Sequence, residues 1–433
     1  MPTEKLGISY WKLWSATAIS NLGDGVSTVA YPWLASATTR SPMLIALVPL
    51  AQRLPWLIFT LPAGVITDRY DRRKIIVAMD FLRGILTAIV GIGVYFSASH
   101  LPSLKNVTHF HPTHLKLYLL LVITAFLFGL MEVLRDNSAQ TMMPSVVSEK
   151  QLEKANGRMW SAESVTNNFL GPPLGSLLLG IAMALPFFFD AATFFFCAGL
   201  IATLAGSFRP APLETPRGSF ITEIKEGVTW LWHHNLLRQM AIILGLLNFC
   251  GSIVGAIYIL YAQEVLHTSV FIFAILGTAG AVGGILGGVL GPKVTEKIGS
   301  GRSLALALLG MPVLTTVTGL TSSWKVVWVA MAIETFLAIL WNVITVSLRQ
   351  SIIPSELLGR VNSVYRLFAW GTIPLATLFG GVIVTVNAHF MSREWALRST
   401  FLIASALGLI LFFYATPKLT TQRIEEARTT AAN

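Results

Sequence analysis

Cysteine is nearly missing from this chain: Cys197 and Cys250 are the only two in 433 residues, and both lie inside apolar runs. So few thiols exclude a disulfide framework or a cysteine-rich zinc site. Charge is scarce as well. Asp, Glu, Lys and Arg together make 12% of the residues, against about a quarter in soluble domains, which excludes an ordinary soluble globule. No Gly-x4-Gly-Lys-Ser/Thr string occurs, so a phosphate-binding loop and direct use of ATP are not expected. The formal net charge is +10, but the basic residues are scattered through short connections rather than gathered on one surface. Nucleic acid is therefore not an expected partner.

What the chain has in quantity is apolar sequence, at 54% hydrophobic residues. Backbone polar groups must be satisfied internally in lipid, and the runs are too long for the strands of a barrel, so they are expected to be helices. A crossing takes about 20 residues. Twelve runs are read, with limits near 11–34, 43–66, 75–97, 116–137, 156–179, 185–207, 239–262, 270–291, 302–321, 325–347, 362–386 and 397–415. The fold class is thus an all-α polytopic membrane protein with twelve transmembrane helices in two six-helix bundles. The expected division is 1–207, a linker 208–238, 239–416 and a tail 417–433. In the linker, Phe220, Ile224, Val228 and Leu231 recur at helical spacing beside Glu223, Lys225 and Glu226, which predicts an interfacial helix.

Lys and Arg concentrate in the N-terminal segment, the connections after even-numbered runs and the tail, including Arg69, Arg72, Arg73 and Lys74. Positive loops stay inside, so both termini are expected in the cytoplasm of a cell, or plasma, membrane protein, and a bacterial inner membrane is expected. The first run carries Asp24 near its middle and has no small-residue cleavage site, unlike a signal peptide. An internal repeat is expected from Gln140 to Pro144 with Asn156 and Trp160, echoed by Gln350 to Pro354 with Asn362 and Arg366.

Between the second and third runs stand Gly64, then Asp68 and Arg69 four and five residues on, then Asp71, Arg72, Arg73 and Lys74. Gly64 would permit close helix approach, and Asp68 could accept hydrogen bonds from a neighbouring helix N-terminus and pair with Arg. The string resembles the signature loop of the major facilitator superfamily. Glu296 and Lys297 stand at the corresponding place in the second half. In the fifth run, Gly171, Pro172, Pro173 and Gly175 resemble the glycine-proline motif of proton-coupled efflux members, where Pro frees a carbonyl and Gly allows close packing. Across its length the chain resembles the branch holding macrolide-type drug efflux pumps and the enterobactin exporter. Asn21 to Asp24 with Pro32, Asp80 and Arg83, Asp190 to Phe194, and Leu357 to Asn362 carry that likeness. The fourth run departs from the wider antiporter pattern, with Glu132, Arg135 and Asp136.

Charges at membrane depth normally face a cavity or a partner. Asp24 and Arg53 each lie about 13 residues from the same side, or roughly 20 Å at 1.5 Å per residue, so they are expected to pair, permanently or until Asp24 is protonated. Glu132 and Glu163 are further proton-carrying candidates, and Glu132 equally suits a gate pairing. Asp136 is read as a gate residue, Asp190 as a helix-end hydrogen-bonding group and Arg366 as an anchor. Glu334, Trp341 and Asn342 are candidates for lining a substrate cavity, with helix packing as the other reading for Trp341 and Asn342. His100, His109, His111 and His114 lack acidic or Cys companions, so no metal or other cofactor is expected.

The resemblance implies a non-enzymatic secondary transporter, expected as a monomer. It would export small amphiphilic molecules by alternating access, with protons as the coupling ion and the lipid bilayer as its medium. Export of a siderophore or lysolipid is the rival within the fold. A membrane sensor or enzyme is the rival outside it. Reporter fusions test the orientation: a fusion after residue 215 is expected to report the cytoplasm and one near residue 105 the outer side, and the reverse pattern overturns it.

Overall fold

The protein is described from a computed structural model covering residues 6–103, 114–148, 151–206, 208, 220–353 and 355–432. The described residues contain helices and no strand. Two compact units separate: residues 1–212 with 267–278, and residues 213–266 with 279–433.

The first unit is built from α1 (Ile8–Thr38), α2 (Pro42–Arg69), α3 (Arg72–Ser97), α4 (Leu115–Val146), α5 (Leu152–Glu163), α6 (Gly171–Ile181) and α7 (Leu185–Ala202). The second holds α8 (Phe220–His233), α9 (Asn235–Gly255), α10 (Tyr258–Glu264) and most of α11 (Val270–Ile298). It continues with α12 (Ser300–Leu320), α13 (Trp324–Ile352), α14 (Ser355–Gly371), α15 (Ile373–Asn387), α16 (Arg393–Ala415) and α17 (Thr421–Ala432). Among the described residues, ten helices are long and apolar enough to cross a membrane. Of the other two expected crossings, α1 runs for 31 residues but carries Lys12 and Asp24, and the fifth is divided.

Three of the expected single runs are broken, and the breaks have local causes. The fifth passes from α5 through a π-helical stretch, Ser164–Leu170, into α6, whose first turn contains Pro172. Pro has no N–H to continue the i→i−4 ladder, so the preceding turn widens. The seventh is split between α9 and α10, and the eleventh between α14 and α15, where Pro374 stands in the first turn of the new helix.

The π stretch lies where the fifth crossing meets α1. A Cβ added at Gly171 would stand 2.5 Å from Gly25 Cα, and one added at Gly175 would stand 2.6 Å from the Val26 carbonyl oxygen. Backbone therefore rests on backbone at this crossing. Nearby, Asn167 Nδ2 donates to Asn21 Oδ1 at 3.4 Å, and closer to the chain's beginning Tyr10 donates to the Ala155 carbonyl at 3.1 Å. The Gly171, Pro172 and Gly175 string thus sits at a close helix contact.

At the α2–α3 turn, the Asp71 carboxylate accepts from the backbone N–H groups of Arg73 and Lys74 at 3.0 and 3.3 Å. Asp71 is the acid that caps α3. The reason is position: Asp71 immediately precedes the helix, whereas Asp68 still belongs to α2. Arg72 donates its backbone N–H to the Phe208 carbonyl, the Arg73 guanidinium donates to the Leu204 carbonyl, and Arg69 is exposed. Gly64 and the side chains of Asp68, Gln140, Pro144, Asn156, Trp160, Gln350, Asn362 and Arg366 lie outside what is described, as do Pro354, His109 and His111.

In the second unit, Trp341 is 1% exposed in the apolar core among Leu340, Ile344, Leu304 and Leu308. This corrects its expected place on a cavity wall: the large apolar area of the indole is spent in the core, although its Nε1 finds no hydrogen-bond partner. Asn342 beside it is exposed. From the linker, α8 packs on α14, with Leu231 buried in the same core. At one end of α12, Arg398 of α16 donates to the carbonyls of Gly319 and Thr321 at 2.8 and 3.0 Å and to the Ser322 hydroxyl at 2.7 Å. Glu394 completes its set at 2.9 Å.

The glycine crossing yields a stability test. Gly171→Val is expected to lower the thermal stability of the purified protein by the equivalent of about 1–3 kcal/mol, the usual cost of overpacking. Gly180→Ala, where an added Cβ meets nothing within 4 Å, is expected to leave the melting temperature unchanged. Equal melting temperatures for Gly171→Val and the wild type would show that the crossing is loose.

Candidate functional site

Three acids and two arginines form a chain of charge inside the first unit. From α3, Arg83 reaches across to α1, where its Nη2 lies 2.9 Å from Asp24 Oδ1. Its Nη1 is 3.5 Å from Asp80 Oδ1, one turn back on the same helix. Arg135 of α4 approaches that same oxygen through Nε at 3.5 Å and Asp136 through Nη1 at 3.3 Å. The Arg83 guanidinium also lies against the rings of Phe128 and Phe194, at 4.4 and 4.1 Å from their centroids. The two adjoining aromatic rings replace part of the hydration that the cation has lost.

Exposure falls sharply along this chain. The side chains of Asp80 and Arg83 are 0% and 2% exposed, whereas Asp24 and Asp136 are 27% and 34% exposed. The network is therefore closed at its middle and part-exposed at its two ends. It is also incompletely bonded, because Asp80 Oδ2 and Arg83 Nε are buried with no hydrogen-bond partner. Such vacancies are costly in a low-dielectric interior.

The expected partner of Asp24 was Arg53, and the structure puts Arg83 there instead. Equal depth decides only whether two charges can be level; which faces meet depends on helix packing. Here α2 packs on α4, while α1 rests mainly on α6 and α7. Arg53 accordingly lies near Glu132 of α4 and is the largest favourable charge acting on it. Glu132 Oε2 is buried and accepts no hydrogen bond. Glu163, read as a membrane-depth acid, stands where α5 passes into the π-helical stretch, exposed and in electrostatic reach of Arg135 and Asp136. Asp190, expected at a helix end, is fully buried inside α7, where Ser27 of α1 donates to it at 2.6 Å.

In the second unit Glu334 of α13 accepts from Thr315 of α12 at 2.5 Å, half-buried and with Tyr258 nearby. Among the described residues no group of three or more His, Cys, Asp or Glu could hold a metal ion. The residues least expected at the centre of the site are Arg135, Phe128 and Phe194. Asp80 and Arg83 had a visible signal, an acid and an arginine three apart inside an apolar run, which on a helix places them on one face.

Comparison with known proteins adds a family to this geometry. The Multidrug efflux pump Tap of Mycobacterium tuberculosis (strain ATCC 25618 / H37Rv) is 25% identical over 406 residues, covering 90% of this chain and 91% of that protein. Macrolide efflux protein A of Streptococcus pyogenes is 19% identical over 402 residues, covering 89% and 92%. Among solved structures, a bacterial homologue of the human lysosomal transporter Spinster, inward-facing and unoccupied, superposes with a TM-score of 0.71 at 14% identity. It covers 95% of this chain and 97% of its own. The family described as transmembrane secretion effector matches residues 8–432. The chain belongs to that family and is a multi-pass membrane transporter of the major facilitator type.

Proposed function

We propose that this protein is a proton-coupled exporter of small amphiphilic molecules, drugs and macrolide-like compounds among them, and that it works by alternating access. The 2.9 Å contact between Asp24 and Arg83 carries the reading. Asp24 is one of the two part-exposed ends of the network, and it is the carboxylate on α1 that a proton from water can reach. Protonating it removes one of the two anions that hold Arg83. Arg83 then keeps Asp80 and its two aromatic rings, and α1 is released from α3. Proton binding thus becomes a change in helix–helix attraction inside one bundle.

The kinds of substrate follow from the relatives, whose names specify multidrug and macrolide efflux. The loop motif at Gly64, Asp68, Arg69, Arg72 and Arg73 supports a conformational gate. Its arginines tie the start of α3 to the segment after α7 through the carbonyls of Phe208 and Leu204. Both termini and the linker are placed in the cytoplasm in this reading, with two six-helix bundles divided near residues 208–238. The protein needs no cofactor in this reading and acts as a monomer.

In proteoliposomes under an imposed pH gradient, Asp24→Asn is expected to lose uphill export, because the amide mimics the protonated acid and cannot release a proton. Uphill export by this variant with unchanged pH dependence would make Asp24 structural and move the search to Glu132. Arg83→Ala strands buried carboxylates and is expected to destabilise the protein by about 3–5 kcal/mol, read as a lowered melting temperature.

The gate has its own test. Asp68→Asn is expected to abolish export at near-normal abundance, with Arg72→Ala and Arg73→Ala less severe. Wild-type export by Asp68→Asn would reduce the loop to a topological anchor. A panel of drugs, siderophores and lysolipids, measured for accumulation in pump-deficient cells with and without a protonophore, identifies the substrate class. Accumulation unaffected by the protonophore would argue against proton coupling.

A further inference from the structure

Asp190 takes no part in the charge network, although it is the most enclosed acid near it. Its residue is 0% exposed on α7. It lies against α1 where Gly23 has no side chain; a Cβ there would come within 2.3 Å of both Asp190 Oδ1 and Thr193 Oγ1. Ser27, one turn along α1, donates to Oδ2 at 2.6 Å. Thr193 is 3.4 Å from Oδ1, but its hydroxyl has a shorter bond, 2.7 Å, to the Asp190 carbonyl. A hydroxyl has one proton to give, so Oδ1 is left without a good donor.

The charges around Asp190 can be accounted for element by element. On α1 they are Asp24 and the phenol of Tyr31; on α3, Asp80 and Arg83. On α4, which meets α7 through Phe128 and Phe194 at 5.6 Å, they are Glu132 and Arg135. No titratable side chain occurs on α6. Arg83 is engaged by Asp24 and Asp80, and Arg135 by Asp80 and Asp136. These two arginines already face three carboxylates. A fourth anion at Asp190 would have to share Arg83 with two carboxylates already on it, with one firm hydroxyl donor and a like charge at Asp24, an arrangement that an apolar interior does not support.

We propose that Asp190 is a second proton-binding site: it holds a proton while Arg83 is paired with Asp24, and it gives that proton up when protonation of Asp24 releases Arg83. The inference rests on the proton-coupled reading above and adds to it. One arginine then serves two acids in alternation, so the first bundle carries a proton in both of its states. Gly23 is what admits the acid to α1, and Ser27 is a positioning residue that fixes the carboxyl group's orientation.

Infrared difference spectroscopy on the purified full chain in lipid, in water and in deuterium oxide, reads this directly. A protonated carboxyl group gives a C=O stretching band that moves on deuteration. That band is expected in the wild type, shifted in Ser27→Ala, lost in Asp190→Asn, and lost also in Asp24→Asn, whose amide mimics protonated Asp24 and so frees Arg83 for Asp190. A band of unchanged intensity in Asp190→Asn would overturn the proposal. If Asp190→Asn does not accumulate, Ser27→Ala decides it, because a band unmoved by loss of the serine hydroxyl cannot arise from Asp190. Failure of the export reading would look different: wild-type protein would show no uphill export under a pH gradient while the band still followed Asp190.

Discussion

A guanidinium that has left water must be surrounded by something that replaces it, and Arg83 shows what that requires. Two carboxylates lie on its nitrogens, at 2.9 and 3.5 Å, and two phenyl rings lie against its carbon. These groups come from α1, α3, α4 and α7. Satisfying one cation therefore fixes four helices together. Moving a charge to low dielectric costs several kcal/mol per ion even after relaxation, so any rearrangement of these helices must offer Arg83 another partner. The same constraint makes the site responsive, because a single proton on Asp24 alters the balance that positions the whole group.

Around this polar centre the packing is close and uneven. Beside Asp24, α1 presents Gly23 to Asp190 and Gly25 to the fifth crossing, so the helix that carries the part-exposed acid is slim on two of its faces. The π-helical stretch lies next to this contact, where backbone meets backbone without side chains to fill a changing gap. A helix with one widened turn and small residues at its contact has few interlocked side chains to resist sliding.

Much of this architecture can be read from runs of residues, because lipid imposes length and apolarity on every crossing. The long helices and the cap region near Asp71 follow from such local rules, and the break in the fifth crossing is announced by Gly171 and Pro172. The angular position of a residue around its helix is harder to read. Arg53 and Arg83 are both plausible partners for Asp24 by depth, and only the packing of α2 on α4 separates them. Trp341 shows the same difficulty: its position in the run is compatible with either a cavity wall or the core, and neighbours on other helices decide. Asp190 lies six residues into its helix, near enough to the start to suggest an end role, yet the absence of a side chain at Gly23 takes it into the interior.

The bonds around Arg398 bear on leverage. At that end, α12 and α16 are fastened through two carbonyls, a serine hydroxyl and Glu394, which leaves little play between them. Once Ser405 gives up its bonds to Thr316 and the Pro312 carbonyl further along the contact, relative motion of these two helices is a pivot about the fastening, with amplitude that grows along the axis. Over the 21 residues of α12, at 1.5 Å per residue, a tilt of about 10° displaces the far end by about 5 Å, close to one helical turn. A rigid pin at one end thus turns a small angular change into a displacement large enough to exchange one set of side-chain contacts for the next.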